Sequence, residues 1–156
     1  MKKIIAGLLI LVSLSVYAKD DYVLCKASSD RVSSLFYSKK IIKSINYKYN
    51  NTYLVWVKEV EIGDGKKSTI KTLNNFFRWK KLKCVNANNF SYTIQLYLID
   101  IDLYKIKLIS DKVFYDVKGN GILSEDSDSG GTDWLYITPR SKIYGLISDI
   151  KKYIHK

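Results

Sequence analysis

The chain has 156 residues, with 26 lysines and arginines against 15 acidic residues and a formal charge of +11. Its only histidine is His155, and its only cysteines are Cys25 and Cys84. This count excludes the usual His/Cys zinc sites and leaves a serine or cysteine nucleophile without a histidine base. The sequence also contains no P-loop and no dinucleotide-binding glycine motif.

The first eighteen residues have the pattern of a secretory signal peptide. Two lysines precede an unbroken apolar run at 4–12, and Val-Tyr-Ala at 16–18 places small residues where a signal peptidase cuts. The apolar run is shorter than the ~20 residues that a bilayer span requires. An uncleaved N-terminal anchor is the alternative. We expect cleavage to leave one domain, residues 19–156, without a transmembrane span, in the periplasm or on the outer cell surface.

The basic excess survives this cleavage, because 24 basic residues remain against 15 acidic ones. A positive field attracts anionic partners such as envelope polyanions or acidic proteins. We expect no nucleic-acid partner for an exported protein. A compositional bias toward lysine, asparagine, isoleucine and tyrosine, as AT-rich coding produces, would explain the charge equally well.

Most of the mature chain has the composition and punctuation of β-strands. In one of them, Leu54, Trp56 and Lys58 are expected to share one face of the sheet. Asn50-Asn51, residues 86–89 and Ser110-Asp111 are predicted hairpin turns. The predicted strands are 22–27, 33–37, 41–49, 52–61, 76–85, 90–98, 103–109 and 112–117.

The last segment changes to a helical period. Thr138 is the predicted N-cap and Pro139 the predicted first helical residue. Five apolar residues then share one face, namely Ile143, Leu146, Ile147, Ile150 and Ile154. We therefore predict an α+β domain: an antiparallel sheet of about six strands with one C-terminal helix packed on it.

Two acidic features were considered as chemical sites. Residues 126–133 resemble a calcium loop, but Ile137 stands where the bidentate glutamate belongs, so a surface loop is the simpler interpretation. Glu59 with Glu61, and Asp100 with Asp102, could form carboxylate pairs of the kind used in glycoside hydrolysis. A solvated rim is the commoner role for such residues, and we expect neither an enzyme nor a bound metal or cofactor.

The two cysteines are expected to form a disulfide in an oxidising compartment. The Cys25–Cys84 bridge would close a loop of roughly sixty residues and stabilise the fold by about 4 kcal/mol.

A basic and aromatic segment is the candidate binding patch. It consists of Arg78, Trp79, Lys80, Lys81 and Lys83. On a strand, Trp79 would lie between lysines and could hold an anionic chain or an acidic protein surface. The plainer interpretation is a strand whose long basic side chains lie over the sheet and extend outward.

Several short segments occur in the order seen in a known family. They are Tyr22-Val23-Leu24, Leu35-Phe36-Tyr37, Leu54-Val55-Trp56-Val57-Lys58, Lys83-Cys84, Trp134 and Ile137-Thr138-Pro139-Arg140-Ser141. In these segments the chain resembles the surface-adhesin protein E family of small exported Gram-negative proteins.

That resemblance implies an antiparallel sheet with a C-terminal helix and a non-enzymatic role in adhesion, with a host extracellular-matrix protein or an envelope protein as partner. This sequence departs from the family pattern in two ways. The family often has a second cysteine at the terminal helix, where this sequence has none and Cys25 on the first strand is the expected substitute, and the family's adhesin is anchored by lipid, whereas no lipobox is found here. A periplasmic immunity protein or an inhibitor of a secreted hydrolase is the alternative function, since such proteins are also small, basic and exported.

Overall fold

The computed structural model describes residues 21–25, 32–43, 51–82, 86–110, 112–125 and 133–156. The predicted signal peptide, Lys83, Cys84 and residues 126–132 of the acidic loop lie outside these ranges. The strands are β1 (Tyr22–Leu24), β2 (Ser33–Ser38), β3 (Ile42–Lys43), β4 (Thr52–Glu61), β5 (Phe90–Asp100), β6 (Lys105–Leu108), β7 (Lys112–Asp116), β8 (Gly121–Glu125) and β9 (Leu135–Tyr136). The helices are α1 (Gly63–Trp79) and α2 (Lys142–Ile154), with a 3-10 turn at Ala87–Asn89.

The nine strands form one antiparallel sheet with six positions across it. β4 and β5 pair at the centre; β2 and β3 share the outer edge of β4, and β6 and β7 share the outer edge of β5. β1 lies beyond β2, while β9 and β8 lie beyond β6 and β7. The predicted α+β fold, an antiparallel sheet with a C-terminal helix packed on it, is confirmed. The described residues form nine strands where about six were predicted, and they include a second helix, α1.

The strands on either side of the central β4–β5 pair are both interrupted, and the two interruptions lie at the same level of the sheet. The chain advances five residues from Leu108 to Val113, whereas their β5 partners Tyr97 and Ile94 are only three residues apart. The hairpin predicted at Ser110 is therefore wrong: β7 continues along the edge that β6 began. The Ser110 hydroxyl accepts a hydrogen bond from the Leu96 amide at 2.9 Å, which keeps the bulged segment attached to β5.

The equivalent bulge lies between β2 and β3. Tyr37 pairs with Val57 and Ile42 pairs with Leu54, so five residues of the outer strand again run beside three of the central one. Bulges of this kind increase local twist and bend the strand that carries them. A pair of bulges at one level therefore curves the sheet about that level.

The C-terminal helix packs on the sheet face that carries Val55 and Ile99, as its apolar stripe predicts. Leu146, Ile147 and Ile150 are fully buried there. The predicted start is wrong by three residues: Ser141 is the N-cap, and its hydroxyl accepts from the Tyr144 amide at 3.1 Å. Thr138 instead closes the preceding turn through its carbonyl, which accepts from the Ser141 amide.

Helix α1 occupies part of a segment that the sequence predicted as strand 76–85, and that prediction is wrong. Leu73 and Phe77, one helical turn apart, are buried against Phe90 and Phe114. The residue before the helix, Ile62, provides no side-chain cap, so the usual N-terminal signal is missing. Burial of this apolar stripe outweighs the β-propensity of the aromatic residues.

Both helices lie on the same face of the sheet. Val55 lies under α2 and Phe114 lies under α1. The strand register places Val55, Thr93 and Phe114 on one face, because residues opposite each other in neighbouring strands, and residues two apart along a strand, point the same way. The opposite face carries an aromatic cluster that includes the buried Trp56. In this cluster the Lys58 ammonium lies 4.1 Å from the ring centroid of Tyr92, and burial lowers the pKa of Lys58.

Candidate functional site

The candidate site is the C-terminal end of helix α1, here called the helix tip and defined as residues 78–82. The amide of Leu82 donates to the Phe77 carbonyl at 2.9 Å, and the amide of Lys81 donates to the Arg78 carbonyl at 3.1 Å. This pair of hydrogen bonds defines a Schellman motif, which satisfies helix-end carbonyls. The backbone of the turn therefore has a defined shape, which sets the directions in which its side chains leave the backbone.

Lys81 occupies the left-handed position of this motif, with φ of 57°. Glycine usually fills that position, because a side chain there costs roughly 1–2 kcal/mol. Residues held in such conformations concentrate at functional sites.

The apolar part of the tip faces solvent. Trp79 is 71% exposed and Leu82 is 47% exposed. The Trp79 ring lies 6.0 Å from the ring of Phe76, which in turn lies 6.0 Å from the ring of buried Phe77. Trp79 is thus connected to the core by a short run of aromatic contacts, although its own surface remains open.

A shallow groove of about 370 Å³ lies beside Trp79, lined by Phe77, Arg78, Lys81 and Leu82. Two of the lining residues are apolar and two are cationic. Lys80 is the third cation of the tip. Its ammonium lies 4.3 Å from the Trp79 ring centroid and forms a cation–π contact. Within the part of the chain that the structure describes, no ion pair involves these three cations.

The charge around the tip is one-sided along the sequence as well. Residues 65–99 contain seven lysines and arginines and no aspartate or glutamate. The helix macrodipole contributes about −0.5 of a charge at a C-terminus. The three cations of the tip outweigh this contribution, so the local field is positive.

The predicted patch is therefore present but is built differently. The structure brings Arg78, Trp79, Lys80 and Lys81 together on a helix end and not on a strand, and Lys83 lies outside the described residues. Sequence reasoning missed Leu82, which lines the groove with Phe77. The helical spacing of Leu73 and Phe77 is the signal that could have indicated a helix in this segment.

No family model, curated protein or solved structure matches the chain. The site is therefore argued from the residues of this chain alone.

The carboxylates considered for catalysis are each held by separate partners. Glu59 accepts from the Ser33 hydroxyl, and Glu61 accepts from the Thr69 hydroxyl. Asp100 forms a buried ion pair with Lys105, whose Nζ lies 3.8 Å from Oδ2. These carboxylates connect elements of the fold to one another.

Asp102 is likewise held, at the turn after β5, by the side chains of Asn51 and Lys151. The hydrogen bond from Asn51 and that from Lys151 lower the pKa of its carboxyl group. Because Lys151 belongs to α2, this contact ties the terminal helix to the turn between β5 and β6.

One serine contacts both a cation and a carboxylate, an arrangement that can support nucleophilic chemistry. Ser33 donates to Glu59 and accepts from the Lys142 ammonium. The serine is only 1% exposed, so its hydroxyl is closed to a substrate. The contact instead links the start of α2 to β2 and β4.

A second groove, of about 470 Å³, lies between β1 and the end of α2 and is lined in part by Tyr37, Asp149 and Tyr153. Burial raises the pKa of Tyr37, and the Asp149 charge adds to the effect. Cys25 is fully buried next to this groove, and its thiol donates to the Asp149 carboxylate at 3.1 Å. Its predicted bridge to Cys84 stays a prediction, because Cys84 lies outside the described residues.

Among the described residues, no group of three or more histidine, cysteine, aspartate or glutamate side chains is placed to hold a metal ion. No helix in the described ranges is long and apolar enough to cross a membrane.

Proposed function

We propose that the mature chain is an exported, non-enzymatic binding protein of the adhesin E type, which contacts a polyanionic or protein partner at the bacterial envelope or in the host matrix. The observation that carries the proposal is Trp79, which is 71% exposed and flanked by three cations on a hydrogen-bonded turn. Exposed aromatic and arginine side chains are enriched among the residues that dominate binding energy at interfaces.

The resemblance to the surface-adhesin protein E family supports the same proposal. It rests on the ordered segments from Tyr22 to Ser141, and the sheet with its C-terminal helix has the architecture that the resemblance implies. The signal-peptide pattern supports export.

The test is retention of purified mature protein on immobilised heparin, compared between two triple variants of equal charge. One variant carries Arg78→Gln, Lys80→Gln and Lys81→Gln. The control carries Lys67→Gln, Lys71→Gln and Lys118→Gln, three exposed lysines away from the tip.

We expect the tip variant to elute at clearly lower salt and the control to elute close to the unmodified protein, because binding concentrates at the tip. Equal losses in both variants would reject the tip as the binding site and leave net charge as the explanation. Labelling of intact against permeabilised cells then separates surface display from a periplasmic role. Capture of a secreted hydrolase from periplasmic extract would favour the inhibitor alternative.

A further inference from the structure

The helix tip combines two properties that a polyanion alone does not need. Trp79 and Leu82 expose apolar surface, while Arg78, Lys80 and Lys81 supply charge within the same turn. A sulfated or phosphorylated chain would use mainly the charges and would cover the apolar surface only in part. The ligand class that uses both is an amphiphile with an anionic head and an apolar body.

We propose that the helix tip docks on a membrane surface rich in anionic lipid. Trp79 and Leu82 enter the boundary between headgroups and acyl chains, and the three cations contact lipid phosphates. This inference rests on the proposed function, because it names the partner of the same site. The membrane inference differs from the proposed function because it requires the apolar residues as well as the charges.

The chemistry of each side chain fits this position. Tryptophan concentrates at the membrane–water interface, where its ring is apolar and its N–H remains hydrated. Lysine and arginine can lay their apolar stems along the interface and keep their charged ends at the phosphates. Helices that bind at a membrane interface combine apolar residues with lysine and arginine along their length. The tip has the same combination within five residues, because Trp79 and Leu82 alternate with basic residues.

The backbone supports insertion without rearrangement. The Schellman hydrogen bonds fix the turn, and Phe76 supports the Trp79 ring from below. A turn whose backbone is already held loses little backbone entropy on binding, which favours affinity. The left-handed Lys81 places a third cation beside the groove instead of the glycine that the backbone prefers.

The test uses the mature protein and vesicles of phosphatidylcholine with or without phosphatidylglycerol. Binding is measured by co-sedimentation, and insertion by the emission of Trp79, taken as the difference between the unmodified protein and Trp79→Phe. Quenching by lipids brominated on their acyl chains reports the depth of the ring.

We expect binding only to vesicles with phosphatidylglycerol, a blue shift of Trp79 emission and quenching by brominated lipid. Each of Arg78→Gln, Lys80→Gln and Lys81→Gln should weaken binding about fivefold. Trp79→Ala should weaken it about tenfold or more, because its apolar ring leaves the interface. The matched controls are Tyr136→Ala, an equally exposed aromatic residue, and Lys118→Gln, and neither should change binding.

Heparin retention measured in parallel separates the two proposals. Retention without vesicle binding would overturn the membrane inference and leave the proposed function standing, with a carbohydrate or protein as partner. Vesicle binding that Trp79→Ala leaves unchanged, without a blue shift, would also overturn it, since charge alone would then explain the binding. Loss of both activities would reject both proposals.

Discussion

Lys105 and Asp100 form an ion pair in the interior of the protein, with Nζ 3.8 Å from Oδ2 and both side chains almost fully buried. The two residues face each other across β5 and β6. Asp100 also accepts from the amides of Asp102 and Leu103, and the Lys105 ammonium lies 4.7 Å from the ring centroid of Trp134. Both charges are therefore compensated by several groups at once.

Removal of one partner should leave the other charge buried. We expect Lys105→Met to lower the free energy of unfolding by about 3–5 kcal/mol, as measured by urea denaturation. The control is Lys67→Met, which breaks the exposed Lys67–Asp64 pair and should cost less than about 1 kcal/mol. Equal effects of the two substitutions would show that the interior pair is not required for stability.

Lys81 should be replaceable with a gain in stability. Its φ of 57° is a conformation that glycine adopts without a side-chain penalty, so Lys81→Gly should stabilise the protein by about 1 kcal/mol in thermal or urea unfolding. The same substitution should weaken binding at the tip, because it removes a cation. A variant that is more stable and binds equally well would show that the lysine has no role in binding.

Asp116 should make the β7–β8 turn sensitive to acid. Hydrogen bonds from the Asn120 amide, the Asn120 side chain and the Lys118 amide lower the pKa of the Asp116 carboxyl below its ordinary 3.8. A carboxyl with a lowered folded-state pKa stabilises the fold above its unfolded pKa, and this contribution is lost as pH falls through the folded value.

The corresponding measurement is unfolding of the mature protein and of Asp116→Asn as a function of pH. The variant should lose less stability than the unmodified protein as pH falls from neutral to below 3.8. Parallel pH profiles would contradict the role of this carboxyl. Asp64→Asn, which alters an exposed carboxylate in the first turn of α1, is the matched control.

The predicted disulfide can be tested by mass spectrometry of the mature protein under non-reducing conditions. We expect one Cys25–Cys84 bridge and a lower melting temperature after reduction, because the bridge restricts the unfolded chain. The prediction is wrong if Cys25 is found reduced, as its hydrogen bond to Asp149 requires, and if reductant leaves the melting temperature unchanged.

The parts of the fold that the sequence could predict are those in which hydrophobic pattern and local chemistry agree. The strand 52–61 alternates between two faces and is found with the predicted bounds. The stripe of Leu146, Ile147 and Ile150 likewise identifies α2. In both cases the period of the pattern matches only one kind of element.

The parts that could not be predicted depend on contacts distant in the chain. Phe76, Phe77 and Trp79 have strand propensity, and only the packing of Phe77 against Phe90 and Phe114 makes the segment helical. The position of Ser110 as a bulge is likewise decided by its contact with Leu96 in β5. For the binding patch, the sequence identified the residue types, but it did not show that they gather at the end of a helix.

The central pairing of β4 with β5 has a consequence for how the protein folds. Glu59 lies opposite Thr93 at the inner end of this pairing, so the pairing closes a loop of 33 residues that contains the whole of α1. Sheets built on such distant pairings fold slowly, since the entropy of loop closure is lost before the contacts form. The chain should therefore remain unfolded while it is being synthesised through β4, and refolding kinetics should show a nucleus that needs β5. If the chain is exported in extended form, as proposed, this delay would keep it competent for export.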